Sequence, residues 1–162
     1  MVIWNRIKTL DFRQFFILSR VFISKPLYII PTIKATKETV KICDRLFQHR
    51  HHGHNRENAF RHALWNYLIC SKCFKVSGSL ERSKAWAKKI TDIHEELLPN
   101  EELEKQMDLH NNYVGLGLCS NTPEKKDIIA LLKDMMKEAV LIKKIEEIEH
   151  ADGKLVYIRP DI

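Results

Sequence analysis

The stretch NAFRHALW, residues 58–65, sets an arginine and a histidine side by side among small and apolar residues. The apolar residues of this stretch and of the segment after it recur at helical spacing, which predicts a helix over about residues 55–75. Arg61 and His62 are too polar for the buried side of such a helix unless other polar groups meet them there. The sequence therefore predicts a polar site inside a helical bundle.

Further helical patterns lie on both sides of this stretch. Three of them cover about residues 11–24, 32–48 and 79–98. A fourth begins at a cap at Asn100. A fifth begins at a cap at Thr122 and includes IIALLKDMMKEAVLI (128–142).

The segments between these patterns read as non-helical. Pro26 and Pro31 bracket LYII, which we expect to be an extended linker. HRHHGHN (49–55) is expected to be a solvated turn, with adventitious metal binding by its histidines as the alternative. The tail DGKLVYI is expected to be a turn followed by one extended segment. The predicted fold is all-α, a single-domain bundle of five to seven helices with a short extended C-terminal tail.

The composition is that of a folded, helix-rich chain. Of its 162 residues 44% are hydrophobic and 30% charged, with five glycines and five prolines, which excludes a disordered or collagen-like protein. Residues 1–50 carry ten Lys or Arg against three Asp or Glu, whereas residues 51–162 carry seventeen against eighteen. We therefore expect a basic, aromatic N-terminal part, residues 1–54, packed on a helical core domain, residues 55–162, that carries the polar site. The basic part either meets an anionic surface or forms a solvated rim.

Cysteine usage and hydropathy bear on the compartment. Cys43, Cys70, Cys73 and Cys119 lack the spacing of a disulfide framework, so we expect buried or half-buried thiols and a reducing, cytoplasmic compartment. The first residues carry charges where a signal peptide would be apolar, and none is expected. The most apolar stretch, residues 12–33, is broken by charges and prolines and is not expected to span a bilayer.

Three consecutive predicted helices carry polar groups three or four residues apart, so that each set lies on one helix face. The sets are Asn58, Arg61, His62 and Trp65; then Thr91, Asp92, His94 and Glu95; then Asp108, Asn111, Asn112 and Gly115. Adjacent asparagines are poor helix formers, which indicates that something other than helix propensity keeps the pair there. The coincidence of three such faces predicts that they converge.

Each set also has a plainer explanation. Arg61, Asp92 and Asp108 can form a buried ion-pair network that only links helices. The two asparagines can satisfy backbone carbonyls near the glycine-weakened end of their helix. Trp65 can be a core residue whose indole N–H is tied to a carboxylate. A lone histidine on a helix is more often structural than catalytic.

The blocks NAFRHALW (58–65), DIHE (92–95) and MDLHNNYVG (107–115) together resemble a bacterial family of unknown function, through the patterns NAxRHxxW, DxHE and MDxxNNxxG. The resemblance covers about residues 55–118. It implies a helical domain, which in that family occurs alone and as the C-terminal module of larger, often secreted or toxin-like proteins, and a shared polar site with no stated reaction. The family often has a basic residue after the glycine, where this chain has Leu116, so no anion-binding role is expected at that position.

The residue types in these sets are those of a hydrolase. His62 or His94 can act as the general base. Asp92 or Asp108 can orient it, and Arg61 can stabilise an oxyanion or a phosphate. No serine or cysteine nucleophile lies within the blocks, so attack by water is expected. The predicted catalytic residues are Arg61, His62, His94, Glu95, Asp108, Asn111 and Asn112, and the predicted structural or orienting residues are Asn58, Trp65 and Asp92.

A divalent metal such as zinc is a candidate cofactor. His62, His94 and Asp108 are ligand types that zinc accepts, with Glu95 as a further candidate. The pair His94-Glu95 lacks the second histidine of an HExxH helix, so a zinc protease is excluded.

Two functions from different classes follow. The first is a small hydrolase that acts near a membrane surface on a phosphodiester or lipid-like substrate. The second is a non-catalytic protein that binds a partner or an anionic membrane through the aromatic and basic residues between Phe12 and Tyr28, unless these aromatics are core. Nucleic acid is not expected as a partner because the sequence contains no nucleic-acid-binding motif, and the oligomeric state stays open.

Overall fold

The computed structural model of the chain describes residues 19–97, 100–120 and 127–160. Residues 19–24 are helical, and the longer helices that follow are α1 (Ile29–Phe47), α2 (Arg56–Ser77), α3 (Leu80–Leu97), α4 (Glu102–Gly117) and α5 (Ile128–Lys137). Short 3-10 helices cover Pro26–Tyr28, Arg50–His52 and Ile145–His150. Strand β1 (Val140–Leu141) pairs in parallel with β2 (Val156–Tyr157). The predicted all-α class is confirmed.

Helix α2 lies at the centre of the bundle, and its sequence explains why. Its small and apolar residues, such as Ala59, Ala63 and Ile69, are fully buried, and the helix packs against α1, α3, α4 and α5. Asn55 caps its start by accepting a hydrogen bond from the backbone N–H of Asn58. Gly78 ends it in the left-handed conformation, with a φ of 66°.

Two tryptophans hold α1 against its neighbours. Trp65 on α2 donates its indole N–H to Thr36 Oγ1 at 2.9 Å, and Trp86 on α3 donates to Thr32 Oγ1 at the same distance. Thr32 and Thr36 lie one turn apart on α1, so one face of this helix receives both indoles. The alternative in which a carboxylate accepts from the Trp65 indole is therefore wrong, because a threonine hydroxyl takes that place.

Several predicted boundaries differ from the structure. LYII is not an extended linker: Pro26 starts a 3-10 helix, and Pro31 lies in the first turn of α1, where its missing N–H is not needed. Glu101, rather than Asn100, is the N-cap of α4, in a capping box with Glu104.

Helix α5 ends earlier than the apolar pattern of residues 128–142 suggests. It stops at Lys137 because the segment after it pairs with β2. The backbone N–H groups of Val140 and Ile142 donate to Leu155 and Tyr157, each at 2.9 Å. The extended C-terminal segment that the sequence predicts is the partner strand, β2.

The cysteine prediction is wrong for two of the four residues. Cys70 on α2 and Cys119, just after α4, form a disulfide, while Cys43 and Cys73 are free and buried. Their spacing gave no indication of this, since the pair is brought together by the packing of α4 on α2. A disulfide does not indicate a reducing compartment, and the cytoplasmic location stays a prediction.

Some predictions lie outside the described residues. These are most of the helix expected over residues 11–24, with its phenylalanines before residue 19, and the helix cap at Thr122. The division of the chain after residue 54 stays a prediction. Within the described ranges, no helix combines the length and the hydropathy needed to cross a lipid bilayer.

Candidate functional site

Helices α2, α3 and α4 each bring one buried side chain to a common point. His62, Glu95 and Asp108, which we call the buried cluster, are 2%, 1% and 3% exposed. One carboxyl group lies near each nitrogen of the imidazole. Glu95 Oε1 lies 3.5 Å from Nδ1 of His62, and Asp108 Oδ1 lies 3.3 Å from Nε2. These distances confirm that the three polar faces converge.

The approach of α4 to α2 depends on Gly115. A Cβ atom at this position would lie 2.0 Å from the carbonyl oxygen of Ala63 on α2, which is far inside van der Waals contact. Glycine therefore lets the two helices touch. Asp108 lies about two turns before Gly115 on the same face of α4, so this contact sets how close its carboxyl group comes to His62.

Asn58 and Arg61 fix the protonation pattern of the cluster. Asn58 donates from Nδ2 to Asp108 Oδ1 at 2.9 Å, and its own Oδ1 accepts from the guanidinium of Arg61. Arg61 also hydrogen-bonds Nε2 of His62 at 2.7 Å. Because a guanidinium can only donate, Nε2 is the acceptor and the ring proton lies on Nδ1, toward Glu95. The contact with Arg61 therefore favours the neutral tautomer of His62 that carries its proton on Nδ1.

Burial is the largest influence on the pKa values of the cluster. It lowers the pKa of His62 well below its usual range, and the positive charge of Arg61 and the nearby His94 lower it further. Burial raises the pKa of Asp108 to about 7, although Arg61 and the hydrogen bond from Asn58 favour the charged form. At neutral pH, His62 is uncharged and Asp108 can either hold or release its proton.

A cavity of about 150 Å³ lies beside the buried cluster, and all three cluster residues line it. Arg61, His94 and Trp65 line it as well, and each of them is only half buried. The rings of Trp65 and His94 meet edge to face, with their centroids 4.9 Å apart. Because these half-buried side chains reach the surface, a small molecule can approach His62 from solvent.

Three other predicted site residues take different positions. Asn112 contacts the buried cluster, because its Nδ2 donates a hydrogen bond to Glu95 Oε1 at 3.2 Å. Asn111 fastens β2 to α4 instead: its amide donates to the carbonyl of Val156 and accepts from the N–H of Val156, each at 2.9 Å. Asp92 forms an ion pair with Lys88 on the same helix, so Glu95 and Asp108 face His62 in its place.

The histidine-rich stretch contributes residues that the sequence analysis placed in a solvated turn. That expectation is wrong for His51, which is fully buried and has its Nε2 2.8 Å from Asp44 Oδ1. His51, His52 and His54 all line the cavity beside His62. The sequence signal that was available is proximity, since the stretch directly precedes the helix that carries the site.

The buried cluster has the composition of a metal site. The candidate ligand atoms of His62, Glu95 and Asp108 all lie within 4.8 Å of one another. One imidazole nitrogen and two carboxylate oxygens suit a divalent transition metal. This grouping includes Glu95 and leaves out His94, which the sequence analysis counted among the ligands.

Fold and site together define the class of the protein: an all-α bundle with a buried histidine between two carboxyl groups. Residues 19–140 match the family described as a domain of unknown function (DUF6973), and the chain belongs to that family. No curated protein and no solved structure shows significant similarity to the chain. Membership confirms that the family is one of unknown function. The three sequence blocks as family patterns, the bacterial origin and the occurrence as a C-terminal module stay predictions.

Proposed function

We propose that the protein is a hydrolase in which water attacks a substrate bound beside His62. One observation supports this most directly: a neutral imidazole lies between two buried carboxyl groups, next to a guanidinium, at the wall of an accessible cavity. A base, an orienting carboxylate and a positive donor are the components of general acid–base hydrolysis.

Arg61 links substrate binding to activation of the base. In the structure its guanidinium donates a hydrogen bond to Nε2 of His62, the ring nitrogen with the available lone pair. An anionic group in the cavity attracts the guanidinium and frees this nitrogen to take a proton from water. The water oxygen then bonds to phosphorus or to a carbonyl carbon and the ester bond to the leaving-group oxygen breaks, while Glu95, 3.5 Å from Nδ1, stabilises the imidazolium. Asp108, with a pKa of about 7, is suited to pass a proton to the leaving group.

The proposed substrate is a phosphodiester or a lipid-like ester close to a membrane surface. Arg61, whose guanidinium stays charged at neutral pH, lines the cavity, which favours a substrate with an anionic group. The excess of basic residues in the first 50 positions would bring the protein to an anionic membrane, where such substrates lie.

A divalent cation held by the buried cluster is a variant of the same proposal. The cluster has two carboxyl groups and only one guanidinium beside it, which favours an additional positive charge. A bound metal would supply hydroxide at neutral pH by lowering the pKa of a bound water. Because a carboxyl group must lose its proton to bind metal, the affinity should rise with pH up to about 7, the pKa of Asp108.

The test compares His62→Gln with a matched control, His150→Gln, which alters an exposed histidine outside the cluster. We expect His62→Gln to lower the rate of hydrolysis by about 10²–10⁴-fold, and the control to leave it unchanged. The substrates are bis(p-nitrophenyl) phosphate, a p-nitrophenyl ester and a short-chain phospholipid. Melting curves of each variant show whether a lost rate reflects lost folding.

The rates are measured with and without a chelator, followed by zinc or manganese. If the chelator abolishes hydrolysis and added metal restores it, the protein uses a metal ion at the buried cluster. If the chelator leaves the rate unchanged, His62 acts directly on water. Absence of hydrolysis across all three substrate types, or equal rates for wild type and His62→Gln, contradicts the proposal.

A peripheral membrane protein without catalysis is the second candidate. It is favoured by four exposed apolar side chains at the start of the described chain, flanked by exposed Lys25 and Lys34. An apolar stripe with basic neighbours is typical of interfacial segments. The four are Ile23, Leu27, Ile30 and Ile33, which are 77%, 57%, 63% and 45% exposed.

Co-sedimentation with vesicles tests this candidate. Wild type is expected to bind anionic vesicles, with binding that falls as salt rises, because screening weakens the contribution of the lysines. The double variant Leu27→Ser, Ile30→Ser should bind less, and Tyr113→Ser, an exposed aromatic on α4, serves as the control. Equal binding to neutral and anionic vesicles, or none to either, removes this candidate.

A further inference from the structure

We propose that Asp44, His51 and His52 form a second metal site, which binds zinc at the wall of the cavity beside the buried cluster. This inference goes beyond the hydrolase proposal and does not depend on it, because none of the three residues belongs to the buried cluster. The candidate ligand atoms of these residues lie within 4.8 Å of one another.

The local structure brings the three residues together from two elements. Asp44 lies in the last turn of α1, and His51 and His52 lie in the 3-10 helix Arg50–His52 that follows. The bend at the end of α1 folds this 3-10 helix back, so that Nε2 of His51 comes within 2.8 Å of Asp44 Oδ1. The rings of His51 and His52 are packed together, with their centroids 4.0 Å apart.

The separation of Asp44 and His51 is close to that of two ligands on one ion. Zinc bonds to nitrogen and oxygen are about 2.0–2.2 Å long, which places two ligand atoms on a tetrahedral ion about 3.3 Å apart. Asp44 and His51 are slightly closer than this, so the pair opens by a few tenths of an ångström to admit the ion. His52 is exposed, and its side chain can therefore rotate toward the ion without disturbing the core.

The burial of the three residues suits an exchangeable ion. His51 is fully buried, which fixes one ligand, whereas Asp44 and His52 are exposed and leave the site open to solvent. Three protein ligands leave a fourth position for water or for a substrate oxygen. Because His51 and His52 also line the cavity, a cation bound there would face the same space as His62.

The ligand types select the metal. Two imidazoles and one carboxylate suit zinc and its transition-metal neighbours, while magnesium and calcium prefer sites made of oxygen atoms. The ring of His52 packs against that of His51, which places a second imidazole beside the His51–Asp44 pair.

The experiment is a calorimetric titration of untagged protein with zinc chloride at neutral pH. It is run in a Glu95→Gln background, which removes a ligand of the buried cluster, and repeated in wild type. Asp44→Asn and His52→Ala are each expected to weaken zinc binding by about tenfold or more. Mutation of a residue that only hydrogen-bonds to a metal ligand already weakens affinity by that much, so loss of a ligand should do at least the same. The matched control is His49→Ala, an exposed histidine of the same stretch that lies outside the three.

The proposal requires that His49→Ala retain zinc binding and that magnesium and calcium in excess leave it unchanged. It is overturned if wild type binds no zinc, if Asp44→Asn and His52→Ala bind as wild type does, or if His49→Ala loses as much affinity as His52→Ala. All altered residues except Glu95 are exposed, and melting curves confirm that the variants fold. Hydrolysis that depends on His62 can persist in His52→Ala, so failure of one proposal is distinguishable from failure of the other.

Discussion

Asp108 links the protonation of the site to the stability of the fold. Burial raises the pKa of its carboxyl group from 3.8 to about 7. Between these pH values the folded protein keeps a proton that the unfolded chain has released, so this residue makes stability fall as the pH rises. Above about pH 7 both states are ionised, and the loss is complete.

We therefore expect Asp108→Asn to remove this part of the pH dependence. The free energy of unfolding of wild type minus that of the variant should decline between about pH 4 and pH 7 and stay level above it. Urea denaturation at a series of pH values measures the difference. A difference that rises over this window would mean that the carboxyl group is stabilised in its charged form, contrary to its burial.

His62 acts in the opposite direction and remains in both proteins. Its lowered pKa means that the unfolded chain binds a proton below about pH 6.5 while the folded protein does not. Both wild type and Asp108→Asn should therefore lose stability as the pH falls below 6.5 through this residue. Taking the difference between the two proteins largely removes this shared contribution.

The contact of α2 with α4 is the feature of the helices that positions the site. Gly115→Ala would place a Cβ 2.0 Å from the carbonyl oxygen of Ala63, and rigid backbone on both sides cannot give way by that much. We expect a loss of about 3 kcal/mol or more in the free energy of unfolding. The same separation of the helices would draw Asp108 away from His62, so that the proposed hydrolysis falls as well.

Gly117→Ala is the matched control on the same helix. A Cβ at Gly117 meets no atom within 4 Å, so this change should stabilise α4 by up to about 1 kcal/mol through helix propensity alone. Urea denaturation of both variants provides the comparison. Equal effects of the two substitutions would mean that α4 does not depend on close contact with α2.

The helices that carry the site could be predicted because their signals are local. Apolar spacing marks α2, and the three polar sets identify the faces that meet, so His62, Glu95 and Asp108 were named from sequence alone. The rotation of each helix about its axis was not encoded locally. Asp92 and Glu95 are three residues apart on α3, and only packing against α2 and α4 decides that Glu95 points inward.

Long-range contacts account for what the sequence did not reveal. Asn111 and Asn112 are adjacent, yet one binds the backbone of β2 and the other the buried cluster, because α4 lies between these two structures. His51 is buried by the return of the chain after α1, which polar composition could not indicate. The pairing of Cys70 with Cys119 likewise depends on α4 lying along α2.

At the scale of the whole molecule, the disulfide closes the bundle around the site. Cys70 lies on α2 and Cys119 follows α4, so the bond joins the two helices that supply His62 and Asp108. Burial raises the pKa of the remaining thiols, Cys43 and Cys73, to about 12, which makes them unreactive in the folded state.

Reduction of this bond should weaken the whole fold. A cross-link that spans 49 residues lowers the conformational entropy of the unfolded chain. The loop-entropy relation gives a stabilisation of about 4 kcal/mol. We expect a reductant to lower the free energy of unfolding of wild type by an amount of that order, and to leave the double variant Cys70→Ser, Cys119→Ser unchanged. Thiol titration provides the check, since oxidised protein in denaturant should expose Cys43 and Cys73 only, and reduced protein all four cysteines. Four reactive thiols before reduction would show that Cys70 and Cys119 are not bonded, and then the link between α2 and α4 would rest on Gly115 and the buried cluster alone.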